Sequence, residues 1–352
     1  MSILHDDVPR QTIGIQKLSL PEKFLAYPLL RGPHAQTIAA VYLPGTSYPY
    51  RARQHAIEFQ DGDRVVLHDD RPAGWKSGNP IILLLHGLGG CFASRYMARA
   101  AGKLNAVGLR TFRMDQRGCG TSLKTSRFPF HAGRSEDVAT VIQHLSQLCP
   151  ESPCVLIGFS IGGNVALKLL GEIGVGPCGQ LVGGISICPP IDLAATVNAV
   201  ESPRNRVYRW FIVQALLRQH ALRRQHVANA KTVRFARRPR GLREFDEVLT
   251  APLCGFSDAR SYYRACSARP LLMHIRRPTI ILTAKDDPVI PFAQFDGSDF
   301  SPSIRFYATD HGGHLGFLAR RQRAHDRRWM EWRIVDWVQA ILKDSQQTPL
   351  QA

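Results

Sequence analysis

The chain of 352 residues is long enough for one large α/β domain or two ordinary ones, and its 44% hydrophobic and 21% charged residues exclude a disordered or fibrous protein. No apolar run approaches the roughly 18 residues needed to span a bilayer, and the N-terminus lacks the basic and apolar segments of a signal peptide, so we expect a cytoplasmic protein. The formal net charge is +17, and its meaning depends on where the basic residues lie.

Residues 1–55 carry proline and aromatic residues with little periodicity, and we predict an extended N-terminal arm packed on the domain. Short β-branched or leucine-rich runs then alternate with helix-like stretches, which predicts an α/β-hydrolase-type core with a mostly parallel sheet flanked by helices. This core should comprise residues 56–188 and 270–345. The predicted strands are 81–85, 109–114, 154–157, 182–187, 279–283 and 303–307, and the predicted helices are 94–107, 135–148, 163–173 and 329–342.

The alternation stops between residues 189 and 269, where the sequence is helical and rich in arginine and lacks a convincing strand. An insertion of this length between two strands predicts a helical cap over the strand ends. Most of the excess charge lies here, and residues 320–333 form a second basic cluster. The excess is concentrated between positions 204 and 240, where the basic residues are Arg204, Arg206, Arg209, Arg218, Arg223, Arg224, Lys231, Arg234, Arg237, Arg238 and Arg240.

The first interpretation of this charge is a solvated basic face, and the second is weak attraction to an anionic membrane surface. The third interpretation, a nucleic-acid partner, is disfavoured, because the sequence matches no known nucleic-acid motif and lacks the aromatic interleaving typical of RNA-binding proteins. The eight cysteines are scattered, without C-x-x-C pairs or zinc-ligand spacing. We therefore predict free buried thiols, no metal site and no cofactor.

A G-x-S-x-G motif, Gly158 to Gly162, lies between a predicted strand and a predicted helix. Glycines are needed there because a Cβ would clash in so sharp a turn, and the turn lifts the serine hydroxyl out of the sheet. The motif alone occurs often by chance, but in this context it is a strong signal. We predict Ser160 as a nucleophile.

A serine hydroxyl needs a base within hydrogen-bond reach, and in this architecture an acid and then a histidine follow the serine along the chain. Asp287 follows the strand 279–283 and is preferred to Asp286, because an apolar pair and a proline follow it; Asp286 should face solvent. His314 follows the last strand and is preferred to His311, because two glycines precede it. Asp192 remains a less favoured alternative for the acid.

The tetrahedral intermediate of acyl transfer carries a negative oxygen, which two backbone N–H groups must stabilise. The residue after the nucleophile, Ile161, should supply one N–H, and Leu88 in the loop 86–90 should supply the other. We expect the His86 side chain to pin this loop by hydrogen bonds. The stretch 115–122 is predicted to be a structural turn.

Several further motifs carry a family resemblance over residues 25–340: 31–38 (RGPHAQTI), 61–63 (DGD), 131–137 (HAGRSED), 245–246, 250–253, 255–256, 262–263 and 312–317 (GGHLGF). With them the chain resembles the YheT-like branch of esterases in the α/β-hydrolase superfamily. The resemblance implies carboxylic-ester hydrolysis with a triad of Ser160, Asp287 and His314. It implies relatives that act on medium-chain esters, monoacylglycerols or phospholipids, and some fungal relatives that transfer acyl groups to alcohols. Animal relatives carry a membrane anchor before the domain.

The sequence thus predicts a serine hydrolase that cleaves short- to medium-chain acyl esters or acylglycerol-like lipids through an acyl-enzyme. One alternative is an acyltransferase that uses the same triad with an alcohol in place of water. The other is a non-catalytic binding protein on the same scaffold, against which the complete triad and both oxyanion loops argue. The substrate in every case is a small-molecule or lipid ester.

Overall fold

The structure is a computed structural model that describes residues 23–228, 230, 235, 237–320 and 326–347. Residues 1–22 of the predicted arm, Lys231 and Arg234 of the cap, and residues 321–325 of the second basic cluster lie outside these ranges. Within the described ranges, no helix is both long enough and apolar enough to cross a membrane.

The described residues form an eight-stranded sheet in the order β1-β2-β4-β3-β5-β6-β7-β8. Strands β3 to β8 pair with one another in parallel, whereas β2 pairs antiparallel with both β1 and β4. This mostly parallel sheet confirms the predicted fold class. The strands are β1 Arg53–Glu58, β2 Arg64–Asp70, β3 Ile81–Leu85, β4 Arg110–Asp115, β5 Cys154–Phe159, β6 Leu181–Ile187, β7 Thr279–Ala284 and β8 Ile304–Thr309.

Helices cover both faces of this sheet, because central strands such as β3 are apolar at every position. Alternate residues of β3 belong to two separate apolar clusters, one with helices α3 and α4 and the other with α2 and α10. These flanking helices are α2 Arg95–Ala106, α3 Ser135–Leu148, α4 Ile161–Ile173 and α10 Trp329–Gln347. The six predicted strands and four predicted helices are confirmed to within a few residues, apart from a longer C-terminal helix.

Residues 1–55 were predicted to form an extended arm, but the described part of this stretch is not extended throughout. It contains helix α1, Pro33–Tyr42, and the sheet already begins at Arg53. Proline at the first helical position suits a helix start, but the side chains that α1 buries are Gln36 and Ala40, so no apolar period marks it. Strand β1 buries Ile57 alone among its residues, which likewise leaves a weak signal.

Cap helices occupy the stretch 189–269 between β6 and β7, and its described residues contain no strand. A π-helical turn, Asp246–Thr250, joins two short helices in its middle. The exact domain boundaries stay a prediction. The cap helices are α5 Leu193–Glu201, α6 Arg206–His226, α7 Leu242–Phe245, α8 Ala251–Leu253 and α9 Ala259–Cys266.

Two motifs that the sequence left without a role, 61–63 and 131–137, meet at Arg117, in the turn after β4. Its guanidinium makes a bidentate ion pair with Asp137, with two contacts of 2.7 Å, and also binds Asp63 at 3.0 Å and Asp61. Burial opposes the positive charge, but Asp137 and Asp61 outweigh it and raise the pKa of Arg117, whose guanidinium is almost wholly buried. The arginine therefore ties together the loops 61–63, 115–122 and 131–137, in agreement with a scaffold role for this turn.

We expect Arg117→Met to lower the free energy of unfolding by about 3–5 kcal/mol, because it leaves the buried carboxylates of Asp63 and Asp137 without their cation. Arg64→Met is the matched control: it breaks the exposed pair with Glu58 and should cost less than about 1 kcal/mol. Urea unfolding of both variants measures the difference. Equal losses would refute the central role given to Arg117.

Candidate active site

Ser160 lies on the turn between β5 and α4, with φ of 51° and ψ of −121°, a backbone conformation that residues other than glycine rarely adopt. Close backbone approach makes the neighbouring glycines necessary. A Cβ on Gly158 would lie 2.2 Å from the carbonyl oxygen of Gly162, and one on Gly162 would lie 2.6 Å from that of His86. The turn is thereby held in one sharp conformation at the carboxyl end of β5.

The structure brings the three predicted side chains together in one hydrogen-bonded chain. His314 Nε2 lies 3.0 Å from Ser160 Oγ, and His314 Nδ1 lies 2.8 Å from Asp287 Oδ2. Since a carboxylate only accepts, Nδ1 carries the proton and Nε2 is free to accept the serine proton. The other oxygen of Asp287 accepts the N–H groups of Val289 and Ile290 at 2.8 and 2.9 Å, which fixes the orientation of the carboxylate.

The alternative residues lie elsewhere. His311 is largely exposed, and its Nδ1 lies 3.4 Å from Asp286 Oδ2. Asp286 was expected to face solvent, but its side chain is only 17% exposed and accepts the N–H of Gly313 at 2.9 Å. That expectation was wrong because the carboxylate braces the histidine loop. Asp192 caps helix α5 by accepting the N–H of Ala195.

Helix α1 supports the loop that carries His314, a contact that the sequence did not indicate. The N–H of His314 donates to Thr37 Oγ1 at 2.9 Å. Gln36 is fully buried, and its amide group donates to the carbonyl of Leu318 and accepts that residue's N–H. A Cβ on Gly313, whose φ is +56°, would lie 2.4 Å from the carbonyl oxygen of Pro33. The motif at 31–38 thus acts as a brace for the histidine loop.

The two predicted oxyanion donors line the same cavity as Ser160. Ile161 is the first residue of α4, so its N–H has no acceptor within the helix and lies at the positive end of the helix dipole. In the opposite loop, the N–H of Gly87 donates to Tyr96 Oη at 2.8 Å and that of Gly90 donates to the carbonyl of Gly87. Leu88 borders the cavity, and its N–H stays the predicted second oxyanion donor.

His86 lies beneath that loop and is fully buried. Its Nδ1 donates to the carbonyl of Gly87 at 2.8 Å, and its Nε2 accepts the N–H of Gln116. Burial lowers the pKa of His86, so the ring is neutral, as these two partners require. These two hydrogen bonds hold the loop 86–90 in place, as expected from the sequence. Tyr96, whose hydroxyl holds the Gly87 N–H, had no sequence motif to mark it.

One group of three side chains among the described residues could hold a metal ion by distance alone. An imidazole nitrogen of His314, a carboxylate oxygen of Asp287 and Cys188 Sγ lie within 4.8 Å of one another. Burial and the neighbouring Asp287 raise the pKa of the Cys188 thiol well above its ordinary value. Because metal ligation needs the thiolate, and because the aspartate and histidine already bind each other, the donor set suits a proton relay better than a metal ion.

A cavity of about 290 Å³ opens above Ser160, near the lower end of the range for small-ligand pockets, about 300–1,000 Å³. Its roof is formed by the cap helices and is mainly apolar. The buried Asp246 also borders it; burial raises the pKa of this carboxyl to about 6, and Thr250 and Tyr263 donate hydrogen bonds to it. The apolar side chains of the wall include Leu193, Val197, Val200, Ile212, Leu216, Leu242, Phe245, Leu249, Val289 and Ile290.

Comparisons with known proteins agree with this architecture. The model of the alpha/beta hydrolase family matches residues 82–327. The chain is 31% identical over 312 residues to YheT of Escherichia coli (strain K12), whose assigned name is that of an esterase, and the match covers 84% of this chain and 86% of YheT. It is 26% identical over 279 residues to phospholipase ABHD3 of Homo sapiens, covering 77% and 68% of the two chains.

Among solved structures, Est1E from Butyrivibrio proteoclasticus with bound ferulic acid shares the fold. The TM-score is 0.53 at 14% sequence identity, and the match covers 82% of this chain and 99% of Est1E.

Proposed function

The chain belongs to the alpha/beta hydrolase family and is a carboxylic ester hydrolase, and we propose that it cleaves short- to medium-chain acyl esters or acylglycerol-like lipids through an acyl-enzyme on Ser160. The observation that carries this proposal is the hydrogen-bonded chain from Ser160 through His314 to Asp287. It supplies a nucleophile, a base and the group that orients the base, which are the three parts that serine-based acyl transfer requires.

In the first step, His314 Nε2 takes the proton of the Ser160 hydroxyl while Oγ bonds to the ester carbonyl carbon. The carbonyl oxygen becomes negative and accepts hydrogen bonds from the N–H groups of Leu88 and Ile161. The intermediate then collapses, the carbon–oxygen bond to the alcohol breaks, and the imidazolium gives its proton to the departing alcohol. The acyl group remains on Ser160.

In the second step, a water molecule takes the place of the alcohol. His314 removes a proton from it as its oxygen bonds to the acyl carbon, and the same two N–H groups stabilise the oxyanion. The bond to Ser160 then breaks, the serine regains its proton, and the carboxylic acid leaves. Asp287 holds the imidazole in the required tautomer and stabilises its positive charge in both steps.

A panel of p-nitrophenyl esters from acetate to palmitate tests this proposal. Because the cavity is apolar and small, kcat/KM should peak at a short or medium acyl chain and fall at palmitate. A maximum at palmitate would contradict the substrate range, and no hydrolysis of any member would contradict the activity. Added ethanol distinguishes hydrolysis from acyl transfer, since a transferase would form the ethyl ester in place of the free acid.

We also propose that the basic cap contacts an anionic membrane surface. Val207, Trp210 and Phe211 on α6 are each more than half exposed. Aromatic side chains beside cations are the combination that favours the interface of an anionic bilayer. Phe211 also borders the cavity above Ser160, so this patch lies next to that cavity. The arginines that line the same surface groove are Arg206, Arg209, Arg237, Arg238 and Arg240.

We expect the protein to bind vesicles that contain phosphatidylglycerol and not vesicles of phosphatidylcholine alone. Trp210→Ser should weaken this binding about tenfold, because it removes an aromatic side chain from the interface. Leu29→Ser, at another exposed apolar residue outside the cap, is the control and should have no effect. Vesicle co-sedimentation measures both; equal binding to the two kinds of vesicle would refute the contact.

A further inference from the structure

Two basic side chains of α6, His220 and Arg223, border the mainly apolar cavity above Ser160. They are three residues apart and therefore share one face of the helix. Their exposed fractions are only 4% and 2%. Polar groups this deeply buried normally have hydrogen-bond partners inside the protein, so the partners of this pair decide whether it is structural or functional.

Arg223 is only partly satisfied. Its Nη2 donates to the carbonyl of Arg127 at 2.7 Å and to that of Ser126 at 3.3 Å. Its Nε and Nη1 are buried and find no acceptor within the described part of the chain. Asp63 is the carboxylate that interacts electrostatically with Arg223, and it already binds Arg117. Arg223 thus brings a positive charge into the protein, and no side chain of the described residues serves as its dedicated counter-charge.

His220 is unsatisfied in the same way. Both of its ring nitrogens are buried and lack a hydrogen-bond partner among the described residues. Burial, together with Arg223 and Arg224, lowers its pKa to about 4, so the ring is neutral and offers one N–H donor. The two side chains together bring unpartnered N–H donors, those of Arg223 being cationic, to the wall of the cavity. A buried charge without a partner is costly for stability, and a bound anion would remove that cost.

The position of Arg223 separates it from the nucleophile. Its guanidinium lies against Gly118 in the turn after β4, where a Cβ would be 3.1 Å from Nε. Ser160 follows β5, which is two strands from β4 in the sheet. At roughly 4.8 Å per strand, β4 and β5 lie about 10 Å apart across the sheet, and the turns that follow them are separated by a similar distance. A molecule that reaches both side chains must have its ester and its charge at opposite ends.

We propose that Arg223 and His220 form an anion-binding subsite, which takes a carboxylate or phosphate at the far end of an ester whose carbonyl lies at Ser160. The apolar wall between the two ends would hold the connecting hydrocarbon. Arginine is well suited to both anions, since its charge is permanent and its donors are fixed in a plane. The ester end of this inference rests on the proposed function, whereas the anion site rests on the unpartnered donors alone.

Two matched substrate pairs test the subsite. The first compares the mono-p-nitrophenyl ester of octanedioic acid with p-nitrophenyl octanoate, and the second compares 1-octanoylglycerol 3-phosphate with 1-octanoylglycerol. For at least one pair the protein should prefer the anionic member, and Arg223→Met should lower the ratio of the two kcat/KM values about 10- to 100-fold. The ratio is independent of the fraction of folded protein, so lost stability cannot mimic the effect.

Arg224→Met is the matched control, because it removes the exposed arginine next along α6 and should leave both ratios unchanged. A change in the first pair alone places the anion on the acyl side of the ester, and a change in the second alone places it on the alcohol side. Ratios that Arg223→Met leaves unaltered in both pairs would overturn the proposal.

A binding experiment separates this inference from the proposed catalysis. Octanedioate or inorganic phosphate should raise the Tm of the Ser160→Ala protein by roughly 2–4 °C. The double variant Ser160→Ala/Arg223→Met should show no such rise. A Tm shift of the Ser160→Ala protein together with no hydrolysis of any ester by the parent protein would reject only the ester chemistry; an equal shift in both variants would reject the subsite.

Discussion

The Ser160→Ala protein should hydrolyse p-nitrophenyl butyrate about 10⁶-fold more slowly than the parent, as far as background hydrolysis allows the loss to be measured. Removing a nucleophile that acts together with its base typically costs this much in kcat. The expected cause is local, because Ser160 Oγ contacts His314 Nε2 at 3.0 Å and alanine keeps the helix that follows.

The control for this substitution is Ser257→Ala, which removes an exposed hydroxyl in the cap. It should retain full activity, and circular dichroism should show that both variants are folded. A Ser160→Ala protein that retains more than about a tenth of the parent rate would show that another residue carries the reaction.

The second large effect is expected at Asp287, where Asp287→Asn should lower kcat about 10⁴-fold. The reason lies in the backbone around the carboxylate. Since the N–H groups of Val289 and Ile290 both donate to Oδ1, the amide oxygen of asparagine must take that position. Its NH₂ group then faces His314 Nδ1 and forces the ring proton onto Nε2, where it blocks acceptance of the serine proton.

Asp286→Asn is the matched control, because it makes the same chemical change one residue earlier. Its amide oxygen can still accept the N–H of Gly313, so the histidine loop should hold and kcat should change less than about tenfold. Steady-state kinetics of the two variants decide between the neighbours. A larger loss for Asp286→Asn would exchange the roles assigned to these two aspartates.

The sequence was informative wherever a feature depends on neighbours along the chain. The strand Ile81–Leu85 is apolar throughout, so its burial on both faces could be predicted from the sequence alone. The site residues were also predictable, because Ser160, Asp287 and His314 each follow a parallel strand. The carboxyl ends of such strands meet at one edge of the sheet, so three distant segments had to converge there.

Features that depend on partners far away along the chain were not predictable. Gln36 binds Leu318 across 282 positions, and a buried glutamine in a helix without apolar periodicity gives no local signal. Arg223 looked like one of many basic residues of the cap, because its burial depends on how α6 packs. The neighbours Asp286 and Asp287 show the same limit: sequence pattern favoured one, but only the folded backbone shows which of them contacts His314.

Mass spectrometry of protein quenched with acid during turnover of p-nitrophenyl butyrate tests the central claim most directly. The peptide that contains Ser160 should carry one butyryl group, and the Ser160→Ala protein should carry none. Rapid turnover with the acyl group on another residue, or without any acylated protein after quenching at the earliest times, would contradict an acyl-enzyme at Ser160.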